Sequence, residues 1–287
     1  MKIAVIAGGN CAERDVSWAS GSKISNALAD SGFEVALIDP WLGVHFENSQ
    51  TARDLFLARP AYRDFNYQVP ATVPDLRALE AKRGKGTHGY FGANVLDVCR
   101  AADVVFIAMH GAAGENGQIQ ASFDLLGIRY TGSNFAACVI AMDKHLTKMQ
   151  IQGAGQLTPE WIYARNENEV DFKRVAEKIG YPCVVKPPRG GSSVGISFPK
   201  NETELRDSLR FATEADRTGS DGDVLIEKRI EGREFSVGIL DGKALPPIEI
   251  IPKTGWFDYA SKYQSDLTNE VCPADITSEL DMKLRAA

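Results

Sequence analysis

The first forty positions switch between dense apolar runs and three-to-four-residue spacing. Residues 2–7 (KIAVIA) form a short apolar run that Gly8 and Gly9 break, and small and apolar residues then recur at helical spacing from about residue 16 to 28. This pattern predicts a strand, a glycine turn and a helix. Residues 33–38 predict a second strand ending at Asp39-Pro40, and residues 104–108 a third, which together predict an open, mostly parallel α/β sheet. Ligands in such sheets bind beyond the carboxyl ends of the strands.

Residues 41–94 interrupt this pattern with polar, turn-rich stretches (ENSQTARD, ARPAYRDF, KRGKGTHGYFG) and are read as an insertion of loops and short helices, a surface excursion of the first domain. Residues 133–155 predict one long helix, capped by Ser133 or Asn134, ended by Gly153 or Gly155, and linking two domains. A small α+β unit follows: a helix at about 169–179, strands at 183–186 and 195–198 joined by a Gly/Ser turn, and a helix at about 202–214. After the polar break at 216–223, VLIEKRI, REFSVGIL and LPPIEIIP alternate as antiparallel strands of a third unit do. Thr277 or Ser278 caps a last amphipathic helix with no terminator before Ala287, so the natural polypeptide is expected to continue.

Composition narrows the classes without naming one. The 287 residues include 32 Lys+Arg against 38 Asp+Glu, with 44% hydrophobic residues, which excludes disorder and a collagen-like fold. A chain of this length buries roughly 75% of its unfolded surface and needs no disulfide or structural metal. A net charge of -6 argues against nucleic-acid binding by broad phosphate neutralisation but leaves room for a local site for a small anion. The five cysteines are widely spaced with no C-x-x-C pair, which suits a reducing cytoplasm. No stretch approaches the roughly 18 to 20 apolar residues of a membrane span, and the start lacks a signal-peptide pattern.

Three segments carry candidate chemistry. There is no P-loop, and Gly8-Gly9-Asn10 lacks the third glycine of the dinucleotide fingerprint. In KPPRGGSSVG (186–195), backbone N–H groups of the loop can bracket phosphate oxygens while Lys186 supplies a compact positive charge; the alternative is a plain hairpin turn. HGAAGENGQIQ (110–120) places His110 at a strand's carboxyl edge, among glycines that permit close backbone approach to a ligand. Glu13 follows the first strand, where it either binds a substrate ammonium or favours the helix dipole.

Six segments in order, GGNCAERDVSWASG, HGAAGENGQIQ, AMDK, KPPRGGSSVG, IEKRIEGREFSVG and FDYASKYQSD, resemble the motifs of the D-alanine-D-alanine ligases of the ATP-grasp superfamily. The resemblance spans nearly the whole chain outside the 41–94 insertion. It implies an N-terminal pre-ATP-grasp α/β domain over 1–135 and a two-lobed α+β ATP-grasp fold, with a central lobe at 136–220 and an incomplete C-terminal lobe at 221–287. It also implies ATP-dependent joining of two D-alanines through an acyl phosphate for peptidoglycan precursor synthesis, in a cytoplasmic homodimer with no nucleic-acid or membrane partner.

By matching position, the resemblance assigns Glu13 to the first D-alanine's ammonium, with Ser192 and Tyr263 orienting that subsite and His110 beside it. Lys144 and Lys186 resemble the lysines that grip the ATP phosphates, and Ser193 a loop contact to them. Glu227, Lys228 and Ile230 resemble the strand that reads adenine, Glu234 the acid that holds the ribose, and Lys262 a lid lysine for the terminal phosphate. On a continued strand, Glu227 and Arg229 would share one face, and Lys228 and Ile230 the other. The Lys262-Tyr263 pair favours an amine over a hydroxy acid as second substrate.

The family's metal-binding segment, with its acidic ligands for Mg²⁺ (or Mn²⁺), has no match before Ala287. The expectation is therefore an inactive fragment of a ligase. A non-catalytic ATP- or D-alanine-binding remnant and a D-alanine-D-lactate ligase are the alternatives.

Overall fold

A computed structural model describes residues 1–47, 50–57, 67–70, 72, 74–83, 89–215, 222–253, 255–258, 261–262 and 266–287. The chain divides into two compact units, Met1–Asp143 and Lys144–Ala287.

In the first unit the order is β1 (Lys2–Ile6), α1 (Arg14–Asp30), β2 (Glu34–Ile38), α2 (Asp54–Leu57), α3 (Leu76–Ala81), α4 (Val95–Ala101), β3 (Val104–Ile107), α5 (Ala112–Glu115), α6 (Gln118–Leu126) and α7 (Phe135–Met142). The three strands pair in parallel in the order β2-β1-β3, with Ile3 opposite both Val35 and Val104. Alternate residues of β1 enter different cores: Ala4 and Ile6 pack with Val95, Val98 and Phe123, while Ile3 and Val5 pack with Val35 and Ala108. Burial on both faces explains why these strands read as unbroken apolar runs.

The 41–94 insertion does contain short helices, but it is more than a surface excursion. Phe56 and Leu79 are buried, and Phe56 joins the same core as Ile6 and Phe123, with Val44, Phe46 and Tyr90 packed against it. Apolar residues at irregular spacing escape a periodicity reading, yet they close one face of the sheet.

The single helix expected over 133–155 is two. Asn134 caps α7 by accepting from the Ala137 N–H, but Asp143 is extended (φ -107°, ψ 107°) and the helix restarts at Lys144. The Lys144 N–H is drawn instead to the Pro188 carbonyl at 2.8 Å, a tertiary hydrogen bond that replaces a helical one.

The second unit runs α8 (Lys144–Gly153), β4 (Trp161–Ala164), α9 (Phe172–Lys178), β5 (Cys183–Lys186), α10 (Glu202–Ala215), β6 (Val224–Lys228), β7 (Glu234–Ser236), β8 (Ile239–Leu240), β9 (Lys243–Ala244), β10 (Ile248–Pro252), β11 (Thr268–Val271) and α12 (Ser278–Ala286). VLIEKRI is not a strand of a third unit. It supplies β6, the centre of an antiparallel sheet ordered β4-β6-β5. Its residues Val224 and Ile226 are buried with Val185, Val175, Leu205 and Leu209, so α9 and α10 cover this sheet. Residues 195–198 contribute a lone bridge, Ser197 to Val185, rather than a strand. REFSVGIL divides between β7, which joins β10 and β11, and β8, which pairs with β9. Thr277 caps α12, its hydroxyl accepting from the Leu280 N–H at 3.3 Å. Among the described residues no helix is long and apolar enough to cross a membrane.

Candidate active site

The carboxyl ends of β1, β2 and β3 are tied together by short polar links. The Gly8 N–H donates to Ser17 Oγ at 2.8 Å, and that hydroxyl donates to the Ala108 carbonyl at 2.9 Å. Asp39, just past β2, pairs with the buried Arg14 guanidinium and accepts from the Trp41 N–H at 2.8 Å, while Arg14 Nη1 donates to the Gly9 carbonyl at 2.6 Å.

On this frame Glu13 sits at the N-cap of α1 without making a side-chain cap bond. Its carboxylate lies against Gly111 (φ +66°), where a Cβ would stand 2.2 Å from Oε2. The close approach needs glycine twice over, for space and for backbone conformation. His110 is adjacent: its Nε2 is 2.9 Å from Ser20 Oγ, and its carbonyl accepts from the Cys11 thiol at 3.2 Å. The structure thus brings Glu13 and His110 together.

Sequence reading missed two members of this cluster. Glu115 accepts from the Gly111 N–H at 2.6 Å, and burial, with the Glu13 charge adding to it, pushes its carboxyl above the usual range. Tyr90, from the insertion, closes over the glycine turn, its hydroxyl 2.6 Å from where a Cβ on Gly9 would lie. Burial raises its phenol. The HGAAGEN spacing offered a signal for Glu115, a carboxylate one helical turn past Gly111; nothing local offered one for Tyr90.

In the second unit, a cavity of about 620 Å³ is lined by Ser193, Glu227, Lys228, Ile230, Glu234 and Lys262. Its apolar wall includes Val184, Ile196, Phe198 and Trp256, and the last two rings meet edge to face at 5.0 Å. A mostly apolar wall with a few polar groups, at this volume, suits a flat heteroaromatic ring bearing a polar tail. Strand alternation does not sort the adenine candidates onto two faces. β6 ends at Lys228, so Arg229 and Ile230 leave the pleat and line the same cavity.

Around it, Lys186 and Lys148 both pair with Glu227, Lys148 Nζ at 2.8 Å from Oε2. Lys228 pairs with Glu160 on the exposed side. Lys144 Nζ donates to the Gly190 carbonyl at 2.8 Å, anchoring the loop after β5. In that loop Ser192 (φ +52°) and Ser193 (φ +60°) are both left-handed, a strained pair, with Ser192 buried and Ser193 Oγ donating to the Phe257 carbonyl at 2.8 Å. Lys262 Nζ stands 5.2 Å from the centroid of the Phe257 ring. Tyr263 lies outside the described residues. Lys148 was not anticipated from the sequence.

Similarity to known proteins extends over most of the chain's length. Residues 2–133 match the family model "D-ala D-ala ligase N-terminus" and residues 152–287 match "D-ala D-ala ligase C-terminus". A D-alanine--D-alanine ligase of Pediococcus pentosaceus is 40% identical over 294 residues, covering 99% of this chain and 79% of that protein. One from Lacticaseibacillus casei is 37% identical, covering 95% of this chain and 73% of that one. Among solved structures, the Bacillus anthracis D-alanine--D-alanine ligase complexed with ATP superposes with a TM-score of 0.69 at 28% identity, over 100% of this chain and 75% of that one. The VanG D-Ala:D-Ser ligase of Enterococcus faecalis gives 0.69 at 25% identity, over 99% and 80%. The parallel β2-β1-β3 sheet and the antiparallel β4-β6-β5 sheet are thus parts of a fold shared with ATP-grasp ligases. With two family models together spanning nearly the whole sequence and a 40% identical relative, the chain belongs to the D-alanine-D-alanine ligase family.

Proposed function

We propose that the protein joins two D-alanines at the expense of ATP, through an acyl phosphate, in the making of peptidoglycan precursors. The observation that carries this reading is the cavity that gathers Ser193, Glu227, Lys228, Ile230, Glu234 and Lys262, residues that match the family's motifs for the nucleotide and its terminal phosphate. Its apolar wall takes adenine, Glu234 accepts from ribose hydroxyls, and the β5 loop with Lys144 and Lys186 faces the phosphates.

Glu13 takes the ammonium of the first D-alanine, with His110 and Glu115 beside it; Ser192 and Tyr263 are assigned to that substrate on the family's motifs. A carboxylate oxygen of this D-alanine attacks the γ-phosphorus and ADP departs. The amine of the second D-alanine then attacks the acyl carbon, and phosphate departs. A carboxylate resists an amine until phosphorylation supplies that leaving group. The lysines act by charge and position on the transferred group.

A bound Mg²⁺ or Mn²⁺ would supply positive charge that offsets the nucleotide phosphates. Among the described residues no group of three or more His, Cys, Asp or Glu is placed to hold a metal. A homodimer and a cytoplasmic setting belong to the same reading, on the family resemblance.

The test is phosphate release from ATP with D-alanine, L-alanine or D-lactate added separately. Release that requires D-alanine is the expected result. Equal release with L-alanine or D-lactate overturns the substrate assignment, and ATP binding without turnover favours the non-catalytic alternative.

A further inference from the structure

Glu227 is one carboxylate held between two ammonium groups. Lys148, on α8, meets Oε2 at 2.8 Å, and Lys186, at the end of β5, meets Oε1. The side chains of Lys148 and Glu227 are 8% and 9% exposed, against 18% for Lys186. Lys148 is also fully engaged: its Nζ donates to Thr158 Oγ1 at 2.8 Å and lies 5.1 Å from the centroid of the Trp161 ring. A buried lysine with a carboxylate, a hydroxyl and an aromatic face around it is a fixed charge. Lys186 is the more exposed of the two, and the glycine-serine loop begins four residues after it, at Gly190.

The charges do not cancel. Two ammoniums and one carboxylate leave a net positive charge, and the deeper ammonium is the one without access to a ligand. Burial lowers the pKa of Lys148 and the like charge of Lys186 lowers it further, against the opposing pull of Glu227, so the two lysines sense each other across the carboxylate.

We infer that Lys148 is a positioning residue for the nucleotide: by compensating Glu227 it leaves the Lys186 ammonium with an unneutralised charge for the phosphates. Without Lys148, Glu227 and Lys186 form a neutral pair, and one positive charge is lost beside the phosphates. At the adenine end, Glu227 keeps Lys186 as its partner, and the apolar wall of Val184, Phe198 and Trp256 keeps its contacts. The inference rests on the ATP reading above.

The experiment compares ATP with adenosine, which keeps the ring and ribose and lacks the phosphates, as calorimetric titrants of the chain. Lys148→Met should weaken ATP binding about tenfold, the order expected for one unit charge acting over roughly 10 Å at an effective dielectric near 20, and leave adenosine within about twofold. Lys148→Arg, which keeps the charge, should hold ATP within about threefold. Lys148→Gln keeps a donor for Thr158 and Glu227 and carries the same expectation as Met should that variant not fold. Equal losses for ATP and adenosine, or unchanged ATP binding, overturn the inference. Wild-type protein that binds neither titrant overturns the ATP reading itself, which separates the two failures.

Discussion

Replacing Gly111 with alanine tests the first-substrate site most directly, because the structure says which atom must move. The added Cβ would lie 2.2 Å from Glu13 Oε2, 3.2 Å from its Cδ and 3.6 Å from its Cβ. The clash therefore falls on the carboxylate end, which must swing by more than an ångström to reach an ordinary contact. Alanine at φ +66° adds roughly 1–2 kcal/mol of backbone strain, lowering the melting temperature by several degrees. A hydrogen bond to a charged group is worth about 1.5–3 kcal/mol, so misplacing the Glu13 carboxylate should weaken D-alanine binding by roughly tenfold to a hundredfold. The Gly111 N–H that Glu115 accepts from is retained in alanine, so the effect isolates Glu13. Calorimetric titration with D-alanine, alongside a thermal melt, separates the two consequences. A variant that melts earlier yet binds D-alanine as the wild type does would refute the assignment of the ammonium to Glu13.

Asp39→Ala strands the buried Arg14 guanidinium and should cost about 3–5 kcal/mol in urea unfolding, whereas a cost under about 1 kcal/mol would mean that the pair does not hold the strand ends together. The raised carboxyl of Glu115 keeps its proton in the folded state above the ordinary value of 4.5, so its contribution to stability falls as pH rises from there through its native pKa. Glu115→Gln should flatten that decline, and equal pH slopes for both proteins would rule the effect out. Burial pushes the thiols of Cys11 and Cys99 up to about 12 and that of Cys183 to about 11, so native protein at neutral pH should react with a thiol reagent at the exposed Cys272 and leave these three protected until unfolding. Rapid labelling of Cys11 would mean that the glycine turn opens readily.

Some of this site was legible because its residues sit in short motifs at strand ends. Glu13 and His110 fall there, as does the loop after β5 with Lys186 and Ser193. Glu115 was within a motif already singled out, but its role depended on the Gly111 N–H turning toward it. Lys148 and Tyr90 were not legible. Lys148 lies one helical turn beyond Lys144 and reads as a solvated helix charge until β6 places Glu227 against it. Tyr90 lies in a stretch without periodicity, and its hydroxyl meets Gly9 through chain reversals that no local pattern encodes.

Apolar runs and helical spacing were enough for the parallel strands and the main helices, and narrowed the caps to Ser133 or Asn134 and Thr277 or Ser278, because these depend on neighbours within a turn or a pleat. Partner choice was not local. Which sheet β6 joins, where the helix after Asn134 breaks, and which lysine faces Glu227 all depend on residues far apart along the chain, since hydrogen bonds and ion pairs across a folded core form only when distant segments are brought together.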